Sequence, residues 1–89
     1  MQTPDSHYQI HPEVFTTEID NQVVLLQYET GTYFTLNEVG TKVWQALEKG
    51  KTTLEILHHL LQEYTVSEKQ LQQDVLNLID KLKEKGLIL

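Results

Sequence analysis

The spacing of apolar residues changes its period once along this chain, at Leu36-Asn37, and that change decides most of what the chain can fold into. Before it, three short runs rich in β-branched and aromatic residues follow one another: Val14-Phe15-Thr16-Thr17-Glu18-Ile19, residues 23–28, and Thr32-Tyr33-Phe34-Thr35-Leu36. Asp20-Asn21 separates the first two and Glu29-Thr30-Gly31 the last two, both good turn chemistry. The runs read as an antiparallel meander of three strands. After Leu36 the apolar residues recur three and four apart. Val39, Val43, Trp44 and Leu47 make one stripe, Ile56, Leu57, Leu60, Leu61 and Tyr64 a second, and Leu71, Val75, Leu78, Ile79 and Leu82 a third. Three amphipathic helices are predicted.

Local signals set the helix ends. Asn37 is an N-cap and Gly50 a stop for the first helix. Thr52 with Glu55 three residues later fits a capping box, and Ser67 with Gln70 fits another, with Val66 and Leu71 placed for a hydrophobic staple. The third helix ends at Gly86. Lys81, Lys83 and Lys85 suit its negative end, and Leu87 is placed to fold back on it. The link Thr65-Val66-Ser67 has the length of a helix-turn-helix joint. The expected fold is α+β and winged helix-turn-helix-like: a three-stranded antiparallel sheet followed by three helices.

One-sided burial predicts a register. A three-residue loop with Gly31 left-handed pairs Tyr28 with Thr32, Leu26 with Phe34 and Val24 with Leu36. That register collects Val24, Leu26, Phe34 and Leu36 on one face and leaves Val23, Leu25 and Tyr33 on the other. A two-residue loop would mix polar and apolar residues, so the first register is favoured.

With 89 residues, the chain is one domain or one domain plus a tail. Folding at this size buries roughly 60–65% of the unfolded surface, enough for one core but not for a core plus a deep, walled active site. Residues 1–12, with Pro4 and Pro12, read as a flexible tail and residues 13–89 as the domain. No apolar run approaches the ~20 residues that cross a bilayer, and the polar N-terminus lacks the apolar segment of a signal peptide. The expectation is an intracellular, cytoplasmic protein with no membrane partner. Cysteine is absent, which removes disulfides, thiolate metal sites and thiol catalysis. Arginine is absent too: 13 acidic residues face 7 lysines, for a net charge of -6. Nucleic-acid binders need a positive footprint, and arginine is the commonest specific reader of guanine, so no nucleic-acid partner is expected.

Catalytic signatures are missing together. There is no phosphate-cradling glycine loop, no G-x-S-x-G elbow and no H-E-x-x-H helix. His7 and His11 lie four apart, but in a segment without helical pattern. His58 and His59 are adjacent on a helix, about 100° apart, which makes sharing one metal awkward; one partly buried and one exposed ring is expected. Glu29 and Glu38 carry no signal that places them in one pocket. Trp44 belongs to an apolar stripe and reads as a core anchor. Tyr33 either pairs across the sheet or touches a ligand. The outward residues that open the third helix, Glu68, Lys69, Gln72, Gln73 and Asp74, would set two acids against one base at a phosphate backbone; a DNA regulator remains the alternative reading, with the wrong charge. A small enzyme or metal carrier is a third reading without a ligand cluster, and no cofactor is expected.

The order of motifs carries a resemblance. Val23-Val24-Leu25-Leu26, then residues 29–40 with Leu36-Asn37-Glu38-Val39-Gly40, then Val43-Trp44, Asp74-Val75 and the close from Leu82 to Gly86-Leu87 resemble the PqqD-like family over residues 14 to 89. These are leader-peptide recognition domains of pathways that modify ribosomally made peptides. The resemblance implies three strands and three helices, and a non-catalytic domain that grips the leader of a precursor peptide and delivers it to modifying enzymes. The Pro-Glu motif associated with pyrroloquinoline quinone members is missing. The chain looks more like the stand-alone recognition proteins of lasso-peptide clusters, which implies a separate leader peptidase and a cyclase as partners, and a monomer.

A meander leaves its third strand at an edge, where unpaired N–H and C=O groups can template another strand. A leader would add along Thr32, Tyr33, Phe34, Thr35 and Leu36. The resemblance places side-chain pockets between the third strand and the third helix. On this sequence that cleft falls to Phe34 and Leu36 with Val75, Leu78, Ile79 and Leu82, flanked by Asp74 and Lys81.

Overall fold

The computed structural model describes residues 8–20 and 22–89. The alternating and helical segments fold as their periods direct. β1 (Val14–Ile19), β2 (Gln22–Gln27) and β3 (Thr32–Leu36) form an antiparallel sheet in the order β1-β2-β3. Three helices follow: α1 (Glu38–Glu48), α2 (Thr53–Glu63) and α3 (Glu68–Glu84). The expected α+β architecture is the observed one.

The caps are those the local sequence predicts. Asn37 Oδ1 accepts from the Gly40 N–H at 2.8 Å. Thr52 and Glu55 complete a reciprocal capping box. At α3 only half of the expected box forms: Ser67 accepts from the Gln70 N–H, while the Gln70 side chain turns away to donate to Asp74 at 2.9 Å. Gly86 takes φ 71°, and the Leu87 N–H reaches back to the Leu82 carbonyl at 2.9 Å, a Schellman closure that folds Leu87 into the core. Trp44 is fully buried among Leu25, Leu36, Ile56, Leu60, Ile79 and Leu82.

The hairpin register corrects the expected one by one residue. Gln27 pairs with Thr32, Leu25 with Phe34 and Val23 with Leu36, across the four-residue loop 28–31. The Gly31 N–H, at φ 71°, closes that loop onto the Gln27 carbonyl at 2.8 Å. Val23 and Leu25 therefore face the core with Phe34 and Leu36, whereas Val24 and Leu26 face outward with Tyr33. A one-residue slip exchanges the two faces of a strand, so the error moved all of β2.

The slip has a physical reason. The observed register buries Gln27, which is 3% exposed, where the expected one would point Tyr28 inward. Gln27 is tolerated because its amide is satisfied: Nε2 donates to the Gly86 carbonyl at 3.1 Å and Oε1 accepts from the Glu29 N–H at 2.7 Å. Gln27→Ala should therefore destabilise the fold by about 1–3 kcal/mol, because the Gly86 carbonyl and the Glu29 N–H lose their partner. A thermal melt checks this; at about 4–8 °C per kcal/mol for a domain of this size, an unmoved midpoint would show that the bridge contributes nothing.

The expected tail needs correction where it is described. Ile10 bridges Ile88, the His11 N–H donates to the Leu87 carbonyl at 3.1 Å, and the Leu89 N–H donates to Gln9 at 2.7 Å. Tyr8 packs half-buried against the core with Lys83 over its ring. The apolar residues Tyr8 and Ile10 hold this stretch down, a two-residue signal too short to read as a strand. Residues 1–7, and with them His7, lie outside the described residues. His11 instead bonds Glu29 through Nε2 at 3.1 Å and accepts from the Glu13 N–H at Nδ1.

Candidate functional site

The sheet order leaves β3 with β2 on one side and, among the described residues, no strand on the other. The alternation of an antiparallel ladder tells which of its backbone groups are free. The Tyr28 N–H donates to Glu13, so the even-numbered residues of β2 turn their backbone toward β1 and the odd ones, Val23, Leu25 and Gln27, toward β3. Their partners Leu36, Phe34 and Thr32 are thereby used. Tyr33 and Thr35 are left with N–H and C=O groups aimed away from the sheet. Their side chains lie on the outer sheet face, paired across the sheet with Leu26 and Val24.

The cleft expected between β3 and α3 falls elsewhere: a hollow of about 280 Å³ lies between the start of α1, the end of α2 and the first half of α3, reaching Asn37 just after β3 but lined by no residue of Thr32–Leu36. Val39, Gly40 and Val43 form one wall, Leu71, Val75 and Leu78 another, and Tyr64, Val66, Gln70 and Asp74 its rim. Gly40 lines it where α1 meets the end of β3: a Cβ there would sit 3.2 Å from Asn37 Oδ1 and 3.3 Å from the Leu36 side chain. A larger residue here would make the Asn37 and Leu36 side chains give way by a few tenths of an ångström.

The expected site residues separate into three groups. Tyr33, Thr35, Asp74 and Lys81 are exposed; Thr32, Phe34 and Leu78 are half-buried; Leu36, Val75, Ile79 and Leu82 are core residues. The last four make a floor rather than contacts, apart from Val75, which also lines the cleft. Asp74 and Leu78 lie at the cleft, Lys81 does not line it, and Phe34 lies farther along with Lys85 over its ring. Sequence reasoning missed Val39, Gly40, Tyr64, Val66 and Gln70. Val39 and Tyr64 looked like ordinary stripe members. Val66 carried a usable signal, an apolar residue in a polar link; it is half exposed rather than stapled down.

A polar chain fixes Tyr64 at the rim. Its hydroxyl donates to Glu38 Oε2 at 2.7 Å, and Lys42 sits over its ring at 4.9 Å while hydrogen-bonding Glu63. The hydrogen bond to Lys42 holds the Glu63 carboxyl below its ordinary range and lifts the Lys42 ammonium above its own. Donation to Glu38 raises the Tyr64 phenol. The end of α2 is thus tied to the start of α1.

Elsewhere the chemistry is sparse. A larger hollow of about 680 Å³ between α1 and α2, lined by lysines, histidines and glutamates, contains none of the candidate residues. His58 and His59 are both exposed, not one buried as expected; the expected half-buried position is taken by Leu57 and Leu60, and the rings bond Gln62 and Glu63 one turn on. Glu29 and Glu38 bond different partners, His11 and Tyr64. Among the described residues no group of three His, Asp or Glu side chains is placed to hold a metal ion, and no helix is long and apolar enough to cross a membrane.

Comparison with known proteins completes the picture. No curated protein sequence matches the chain. Two solved structures do. "TbiB1 in Complex with the TbiA(beta) Leader Peptide" is 38% identical, covering 90% of this chain and 93% of that one with a TM-score of 0.85. "Lasso peptide synthetase B1 complexed with the leader peptide" is 28% identical, covering 94% and 99% with a TM-score of 0.87. The family model for coenzyme PQQ synthesis protein D (PqqD) matches residues 22–88, from the first residue of β2 through the Schellman turn after α3, and the chain belongs to the PqqD family.

Proposed function

We propose that this protein is a non-catalytic binder of the leader of a ribosomally made precursor peptide, taking it up as a fourth strand on β3. In this reading it presents the leader to a separate leader peptidase and a cyclising enzyme of lasso type. The observation that carries the reading is the open β3 edge, with Tyr33 and Thr35 backbone groups unspent. Both similar solved structures are complexes with leader peptides, which supports it.

The energetics divide the labour. A net ~0.5–1.5 kcal/mol per backbone hydrogen bond must offset ~2–5 kcal/mol for ordering a disordered leader. Strand addition alone is weak and blind to sequence. Selectivity falls to the groove: Thr32 to Leu36 on one side, Leu78 and Asp74 at the cleft, Lys81 beyond it, on a floor of Val75, Ile79 and Leu82. The binding unit is taken as residues 13–89 with the anchored stretch 8–12 packed against it, acting as a monomer. A DNA reading is disfavoured because Glu68, Lys69, Gln72, Gln73 and Asp74 are all exposed at the start of α3 and bring net negative charge to the face that would meet phosphates.

Calorimetric titration with the TbiA(beta) leader peptide, the ligand in the 38% identical complex, is the test. Saturable one-to-one binding is expected. No binding to the leader, together with salt-sensitive binding to a DNA duplex, would replace this reading by the winged-helix regulator.

A further inference from the structure

One flank of α3 carries its charges in a fixed order. Gln70, Asp74, Leu78, Lys81 and Lys85 recur at intervals of four, four, three and four residues. At 100° per residue they fall within about 80° of one another. The buried stripe of Leu71, Val75, Ile79 and Leu82 runs beside them, so this flank stands at the margin of the core. Contacts show that the margin is the one next to β3. Asp74 and Leu78 line the same hollow as Asn37, the residue that follows the strand. Lys85 Nζ lies 6.0 Å from the centre of the Phe34 ring. The Gly86 carbonyl accepts from the Gln27 amide at 3.1 Å, and Gln27 pairs with Thr32 at the strand's other end. On the opposite margin Lys83 reaches Tyr8 instead. α3 therefore runs alongside β3 with its carboxylate at the Leu36 end and two lysines toward the Thr32 end.

These charges are not paired with their opposites among the described residues. Asp74 accepts from Gln70 Nε2 at 2.9 Å, a bond that steadies the carboxylate and leaves its charge uncompensated. Lys81 and Lys85 have no carboxylate partner there, and all three side chains are exposed. Thr32 to Leu36 adds no charge, so the α3 flank alone sets the polarity beside the strand. Along the helix axis Leu78 lies about 6 Å from Asp74, Lys81 about 10 Å and Lys85 about 16 Å. An added strand advances about 3.4 Å per residue and turns alternate side chains to one face. Inward side chains two and four residues along it, about 7 and 14 Å from the first, therefore match Leu78 and the Lys81–Lys85 pair when the first faces Asp74.

We propose that this flank selects leaders by the order of their charges: a basic side chain at the Leu36 end facing Asp74, an apolar one two residues along at Leu78, and an acidic one two further along between Lys81 and Lys85. The inference rests on the leader-binding reading above and names the class of peptide that the same site prefers. Backbone pairing at Tyr33 and Thr35 is alike for every sequence. A peptide with the opposite charge order meets like charge at both ends of the flank, which supplies the discrimination that the strand lacks.

The test exchanges the polarity of the flank by combining Asp74→Lys, Lys81→Glu and Lys85→Glu. Wild type and exchanged protein are titrated by calorimetry with two probes: the TbiA(beta) leader peptide, and the same peptide with every Lys and Arg replaced by Glu and every Asp and Glu by Lys. Wild type should prefer the native leader and the exchanged protein the inverted one, each by about tenfold at low salt, with the preference narrowing as salt rises. An exchanged protein that keeps wild-type affinity for the native leader overturns the inference. So does one that loses the native leader without gaining the inverted one, which would leave the three side chains a role in packing alone. Glutamates near the end of α3 oppose its dipole. If the exchanged protein melts early, Lys81→Gln with Lys85→Gln takes its place. That variant should bind the native leader about three- to tenfold more weakly at low salt and like wild type at high salt; an affinity equal to wild type at low salt, or a loss that salt does not change, overturns the inference. Failure of the wild-type protein to bind the native leader sinks the underlying reading instead.

Discussion

Replacing Thr35 by proline is expected to weaken leader binding about tenfold or more while the protein stays folded, since each 1.4 kcal/mol is a factor of ten. The Thr35 N–H is one of the groups that β2 leaves unused, so proline removes a donor that the isolated fold does not need. Proline is accepted on an edge strand when its missing N–H would have faced out. Its ring also stands where an incoming strand must lie, which adds a steric penalty to the lost hydrogen bond. Phe34→Pro is the contrasting change: its N–H faces Leu25, and its loss breaks the ladder that holds β3 in place. Circular dichroism and leader titration of the two variants separate the effects. Full leader affinity in a folded Thr35→Pro protein would remove strand addition at β3 from the mechanism.

Neighbouring residues of α3 should behave in opposite ways. Ile79 is fully buried, and Ile79→Ala is expected to destabilise by about 2–5 kcal/mol. A domain of this length has roughly 4–13 kcal/mol in total, so the variant loses a substantial share of its stability. Leu78 is half-buried at the cleft. Leu78→Ala leaves less of a void in the isolated protein and takes an apolar contact from the bound peptide, so its expected signature is about a tenfold loss of affinity with a smaller stability loss. Denaturant melts and titrations on both variants read the difference. Equal affinities for wild type and Leu78→Ala would move the pocket off this part of α3.

The parts of the fold that were legible in the sequence are those governed by neighbours in the chain. Helix positions follow from stripes such as Val39, Val43, Trp44 and Leu47, and their ends from Asn37, Thr52, Ser67 and Gly86, each of which bonds within a few residues. The register of β2 was not legible because its deciding contact spans 59 residues: Gln27 is buried only because Gly86 waits for it. The same holds for the candidate site. The edge strand could be read from the meander alone. The cleft could not, because Val39 and Tyr64 have the same helical spacing whether they wall a groove or fill a core. Tyr8 and Ile10 escaped for a related reason, since their partners stand at the far end of the chain.

The spare rim of the sheet has a second consequence. From Thr32 to Leu36 it carries no lysine, proline or other guard against unwanted zipping, so an empty copy is as open to its siblings as to its proper guest. The mutual repulsion of molecules bearing -6 each is the remaining safeguard. It fades as salt rises, which makes the unladen protein the form most exposed to clumping and its cargo a chaperone of the carrier.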